Sequence, residues 1–323
     1  MLLQKWHLSL MNGIVLSNGN KEIRKFRTQK TGELLAYLAY HLGRAIQREE
    51  LVDAIWPDYE LEAGRASVRT AVSSLRRQLE PPGTVTNSVI ISDRSTVALA
   101  SAAVSTDVQR FVTAYGAYSQ LGCTDRLQLA LNAIGLYSGD LLPGCYSDWA
   151  VAAREEMQSW QSELLRDAAM LTLAAGDAEQ AHRYALRLIK VDPLVESSYL
   201  LAMKALAKAE RYGEALQVFE EWRCVSEREF DLPPSRSARE IARQVECASE
   251  RYADLNNFTV SVRTDNSNKV LLPGSGVNPR QENTDIVEAE SAQIPKAPPV
   301  ELAATNVGIP LVLTRFFGRQ LEA

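Results

Sequence analysis

The stretch "GRASVRTAVSSLRRQL", residues 64–79, carries Arg65, Arg69, Arg76 and Arg77 and no acidic residue, in a chain of formal net charge −5. Wound at about 100° per residue, Val68, Val72, Leu75 and Leu79 fall within an arc of about 60° and predict the buried stripe of a helix. Arg65, Arg69 and Arg76 lie together beside that stripe, followed around the cylinder by Ser73 and Arg77. The nearest acids, Glu62 and Glu80, sit at the two ends, so the strip is expected to be unpaired. A basic face on an isolated helix is most often merely solvated. The neighbouring elements decide whether this one is more than that.

Upstream, "WHLSL", "GIVL" and "KEI" read as short strands, with Asn18-Gly19 as a tight-hairpin signal. From Thr28 the spacing of Leu34, Leu35, Leu38 and Leu42 turns helical, with Thr28 as N-cap and Gly43 as the stop. A second helix is expected over about 47–55, with Leu51 and Ile55 one turn apart and Pro57 ending it. The third runs from about Glu62 to Glu80 and is closed by "PPG". Then "SVIIS", the turn "DRST" and "VALA" read as a hairpin.

Strands, three helices and a terminal hairpin are the element order of a winged helix-turn-helix of the OmpR type. In that class the third helix enters the major groove of DNA. Arginines there bind guanine bidentately or hold phosphates, and Thr70 and Ser73 offer short hydroxyl donors. In the hairpin turn, Arg94 is placed to reach a phosphate or an adjacent minor groove. The basic segment "RKFRTQK" (24–30) suits a backbone contact and a solvated loop equally well.

The totals agree with this division. The chain has 323 residues, 46% hydrophobic and 23% charged, enough for two or more domains. Residues 1–100 hold 13 Lys/Arg against 10 Asp/Glu, and the remainder 22 against 30. The acidic balance therefore belongs to the C-terminal two-thirds, which leaves the first hundred residues open to a polyanion. The longest apolar run, "LLAYLAY" (34–40), is too short to span a membrane. The start "MLLQKWHLSL" lacks the pattern of a secretory signal. Cys123, Cys145, Cys224 and Cys247 are scattered, which suggests reduced thiols and no metal site in a cytoplasmic protein.

Residues 105–250 read as almost wholly helical. "AAGDAEQAHRYAL" (174–186) aligns with "KAERYGEALQVFE" (208–220) at an offset of 34, setting Ala175 over Ala209 and Ala181 over Ala215. That period, with small residues at the helix crossing, predicts a tetratricopeptide-like array, and "SDWAVAAREEMQSWQSELLRDAAMLTLA" (147–174) supplies a flanking helix. From 256 to 306 there is one aromatic residue and five prolines, which predicts a disordered linker. The expected organisation is a mixed fold. An α+β winged helix at 1–100 precedes an all-α tetratricopeptide-like domain at 105–255, a linker at 256–306 and a last segment at 307–323.

"LAYLAYHLGRAIQREELVDAIWPDYELEAGRASVRTAVSSLRRQLEP" resembles the DNA-binding domain of the SARP-type (antibiotic regulatory protein) transcriptional activators of bacteria. "ALNAIGLYSGDLLPG", "DWAVAAREEMQSW" and "AERYGEALQVFEEWRCVSEREFDLPPS" resemble the bacterial transcriptional activator domain that follows it in that family. The likeness covers about 1–250. It implies a cytoplasmic regulator that binds double-stranded promoter DNA, as a homodimer on direct repeats, and promotes RNA polymerase recruitment. By the same likeness Arg65, Arg69, Ser73, Arg76 and Arg77 are the reading positions. Two departures stand out. Gln47 occupies a position where serine or threonine usually caps the second helix, and the "DRST" turn has no glycine.

"LTRFFGRQLEA" resembles the entry to the nucleotide-binding domains often fused to such regulators. No G-x-x-x-x-G-K-[ST] occurs, which disfavours an ATPase-coupled switch in this chain and implies a fragment or truncation of a longer one. No cofactor is implied. A competing function is a helical-repeat scaffold that binds proteins and no specific DNA. Catalysis finds no motif: His7, His41 and His182 are isolated, and His41 is placed to favour the C-terminal dipole of the first helix.

Overall fold

The computed structural model describes residues 5–19, 21–80, 82–120 and 125–265, with side chains as far as Ala253. Cys123, most of the expected linker and the segment 307–323 lie outside the described residues.

Three short strands open the chain: β1 (Trp6–Ser9), β2 (Val15–Asn18) and β3 (Lys21–Ile23), paired antiparallel in sequence. Asn18 pairs with Lys21 and Gly19 takes a φ of +56°, so the turn begins at Gly19, one residue later than Asn18-Gly19 suggested. Helix α1 (Gln29–Tyr40) starts where expected, because the Thr28 hydroxyl accepts the Thr31 amide at 3.1 Å. Beyond it, Gly43 adopts the positive φ of +86° that lets the chain reverse. Helix α2 (Arg48–Ile55) has no side-chain cap from Gln47, as the missing serine or threonine implied. Helix α3 (Leu61–Leu79) buries Val68, Val72, Leu75 and Leu79, the expected stripe.

The wing strands are β5 (Ile90–Ser92) and β6 (Thr96–Leu99). Two further strands are too short to leave a sequence pattern. β4 (Ile46–Gln47) adds to the wing in the order β4-β6-β5, and β7 (Val104–Thr106) lies parallel to β1 in the order β3-β2-β1-β7.

Among the described residues seven helices follow: α4 (Asp107–Ser119), α5 (Arg126–Leu136), α6 (Asp148–Ala174), α7 (Ala178–Val191), α8 (Glu196–Lys208), α9 (Tyr212–Phe230) and α10 (Arg236–Asp265). The helical period is realised closely: α7 opens at Ala178 and α9 at Tyr212, Ala181 and Ala215 are fully buried, and Ala175 and Ala209 are both C-caps. From α6 to α10 each helix packs on the next, as a stacked array requires. Helix α10 continues to Asp265, ten residues past the start expected for the linker, in a stretch with no glycine or proline to stop it.

A continuous apolar cluster runs from Trp6 to Leu188, uniting the winged helix with α4–α7, and a second joins α7 to α10. At the junction Tyr37 of α1 meets Trp149 of α6 edge-on, ring centroids 5.0 Å apart. Nearby, the buried Glu33 carboxylate accepts from the Trp149 indole at 3.3 Å and from the Ser147 hydroxyl, and pairs with Lys30 at 3.1 Å. His41 caps α1 between Tyr37 and Tyr40. Burial lowers its pKa, which works against the charged form that a favourable interaction with the helix dipole would need.

Candidate nucleic-acid interface

Helix α3 presents three kinds of arginine, and the angle from the buried stripe separates them. Arg65 and Arg76 lie about 20–40° beyond the edge of the stripe, where neighbouring elements reach them; Arg77 lies nearly opposite, with Arg69 between.

Arg65 is half-buried and paired. Its Nε and Nη2 donate to Glu49 Oε1 at 2.9 and 2.5 Å, and its Nη1 donates to Glu62 Oε1 at 2.7 Å. These hydrogen bonds raise the Arg65 pKa, Glu49 contributing most. The expectation of an unpaired strip is therefore corrected here: Glu62 stands three residues before Arg65, within ordinary helical reach, and Glu49 arrives from the first turn of α2.

Arg76 is also engaged, mostly by neutral groups. Its Nη2 donates to the Ile90 carbonyl at 3.1 Å, to Ser92 Oγ at 2.8 Å and to Asn87 Oδ1, while Nε lies 4.0 Å from Glu80. Glu80, in turn, accepts the amides of Val89 and Ile90 at 2.8 and 2.9 Å. Arg76 and Glu80 thus fasten the first wing strand to the end of α3. This too departs from the free arginine expected.

Arg69, Ser73 and Arg77 are exposed and, among the described residues, form neither an ion pair nor a side-chain hydrogen bond. Thr70 is exposed as well; its hydroxyl donates to the Ala66 carbonyl at 3.0 Å, leaving its oxygen free to accept. Arg94 stands exposed at the wing tip and has no pairing partner among the described residues. The glycine-free turn beneath it is organised by Asp93, whose Oδ1 accepts the amides of Ser95 and Thr96 at 2.8 and 2.6 Å. Those amides hold the Asp93 pKa at about 2.

Arg48 was not singled out from the sequence. It opens α2, where the helix dipole disfavours a cation. Two links to the wing place it there: its Nη2 donates to the Asp93 carbonyl at 2.9 Å and its amide to Ser95 O at 2.8 Å. That unfavourable position is the one signal the sequence offered. Burial lowers its pKa, and the approach of Arg69 lowers it further. Arg48, Arg65, Arg69 and Arg94 line a concavity of about 500 Å³ between α2, α3 and the wing, against Glu49, Glu62 and Asp93. Four guanidinium groups facing three carboxylates leave a modest excess of positive charge, and Arg77 extends it along α3.

Residues 24–95 match the family described as "Transcriptional regulatory protein, C terminal", and residues 106–246 match the "Bacterial transcriptional activator domain". Regulatory protein AfsR of Streptomyces coelicolor is 27% identical over 247 residues, covering 75% of this chain and 24% of that protein. AfsR of Streptomyces griseus is 27% identical over 226 residues, covering 68% and 22%. The chain thus carries, in order, the two domains that the SARP-type transcriptional activators combine. The chain spans about a quarter of the length of those curated relatives. Its fold is also that of Mycobacterium tuberculosis EmbR, solved in complex with a low-affinity phosphopeptide: TM-score 0.61 at 17% identity, over 80% of this chain and 71% of that one. Among the described residues no helix is long and apolar enough to cross a membrane, and no cluster of His, Cys, Asp and Glu is arranged to hold a metal ion.

Proposed function

We propose that this SARP-type regulator reads double-stranded promoter DNA with α3 and the wing. Arg69 and Arg77 make the charged contacts, Thr70 and Ser73 the short polar ones, and Arg94 the wing contact. Arg65 and Arg76 serve first as struts that fix α3 against α2 and β5. The observation that carries the reading is the exposed set Arg69, Ser73 and Arg77, unpaired among the described residues and running from beside the buried stripe of α3 round to its far side, with Arg94 and Arg69 lining one concavity. A surface of that kind suits phosphate and base edges, since a guanidinium already paired would have to be released first.

The helical domain, 105–255, provides the surface for dimerisation or for RNA polymerase and effector contacts, and the protein acts in the cytoplasm as a non-enzymatic activator. Selection of bound duplexes by the full chain, followed by a salt titration of the selected site, tests the DNA reading. Affinity that falls steeply with salt, and less steeply in Arg69→Ala, supports it. Failure to enrich any duplex overturns it.

A further inference from the structure

Helices α6 and α8, with Leu188 of α7 between them, enclose a groove. Met170, Leu173, Leu200 and Leu201 form its floor, and Arg166 and Lys204 stand on its rim; no acidic residue lines it. Its volume is about 430 Å³. Met170 is 54% exposed, a large apolar side chain left in water, and it is joined in this groove by the half-buried Leu173, Leu200 and Leu201. Arg166 and Lys204 are exposed and, among the described residues, carry neither ion pair nor hydrogen bond. Some arginines of the array are taken up, Arg211 by Glu179 and Glu214, Arg223 by Glu220 and Glu227, Arg243 by Glu240, while Arg183 and Arg187 of α7 are exposed without an ion pair among the described residues, as Arg166 is.

We infer that this groove binds a short peptide segment of a partner protein that combines apolar side chains with acidic ones. The inference rests on the reading of the helical domain as a contact surface and names the chemistry of what it contacts. Two requirements follow from the lining. An apolar floor with a flexible methionine takes Leu, Phe or Met side chains and tolerates variation among them. The two free cations select carboxylates at the edge of the segment and reject basic peptides, because the groove offers no acid to receive them. A neutral apolar peptide would leave Arg166 and Lys204 unmatched at the rim.

The test is a random 12-residue peptide display library selected on the full chain. Peptides rich in Asp/Glu and Leu/Phe/Met are expected to emerge, to bind at least tenfold more weakly to Arg166→Glu/Lys204→Glu, and to lose affinity in Met170→Glu. All three positions are exposed, so the variants should keep the parent melting temperature. A second selection on the charge-reversed variant should exchange acidic for basic peptides. No enrichment, or peptides whose affinity ignores the reversal, overturns the inference. If light scattering instead shows the chain dissociating from a dimer in the reversed variant, the occupant is a second copy and the inference is likewise overturned. Duplex selection by the same protein is scored separately. Peptide capture without DNA binding refutes the promoter reading alone, and DNA binding without peptide capture refutes the groove.

Discussion

The carboxylate of Asp107 accepts the backbone amide of Leu10 at 3.0 Å, although 97 residues separate them. It also accepts the Met11 amide at 3.0 Å and the Ser9 hydroxyl at 2.6 Å, while standing at the start of α4. Just before it, β7 pairs with β1. The first strand of the winged helix is therefore completed by the first elements of the helical domain.

Asp107→Ala should cost about 3 kcal/mol, because two buried amides lose a charged acceptor and gain none. Asn at this position keeps one acceptor oxygen and should lose about half as much. Urea unfolding followed by intrinsic tryptophan fluorescence and by helical circular dichroism checks this. Both signals should shift together, since one core joins the two regions. By the same logic a fragment of residues 1–100, which lacks β7 and Asp107, should give poorly dispersed amide resonances.

The arginines of α3 should separate into two classes. Loss of Arg69 or Arg77 should lower the log–log salt slope of DNA binding by roughly 0.9 each. Arg76→Ala should mainly loosen the wing, seen as faster amide exchange at Ile90 and Ser92. Glu49→Gln with Glu62→Gln removes two negative charges and both ion pairs of Arg65, so affinity should rise and the slope steepen. Fluorescence anisotropy across a salt series measures all of these.

The wing turn should resist acid. Backbone amides hold the Asp93 pKa at about 2, below the ordinary 3.8. Stabilisation from a depressed carboxyl pKa is complete above the unfolded value and is lost as pH falls through the folded one. The turn should thus be fully held at neutral pH and released between pH 3.8 and about 2. A carboxyl-carbon NMR titration of Asp93 reports the midpoint, and Asp93→Ala should speed exchange of the Ser95 and Thr96 amides at neutral pH.

Gly64 is required by close approach. A Cβ there would lie 2.8 Å from Val52 Cγ2 on α2. Gly64→Ala should cost about 1–3 kcal/mol through overpacking, and Val52→Ala in the same chain should recover much of it. Thermal melts of the two single variants and the double close the cycle.

Much of the architecture was written locally. Val68, Val72, Leu75 and Leu79 fixed the inward face of α3, Thr28 began α1, and the offset of 34 placed Ala181 and Ala215 at matching helix crossings. These follow from periodicity and capping, which depend on residues within a turn or two of each other. The Glu62–Arg65 pair belongs to the same local class and was legible at a spacing of three.

What the tertiary structure alone decided is which cations remain free. Glu49 reaches Arg65 from another helix, and Asn87, Ile90 and Ser92 reach Arg76 from the wing. Such pairing depends on how elements dock, and helical spacing contains no record of that. The strands β4 and β7 were hidden for a related reason: two or three residues carry no alternation to read, and their partners lie about 50 to 100 positions away. The sequence established a helix with basic residues on one side. Docking divided those residues into struts paired with neighbouring elements and side chains left exposed.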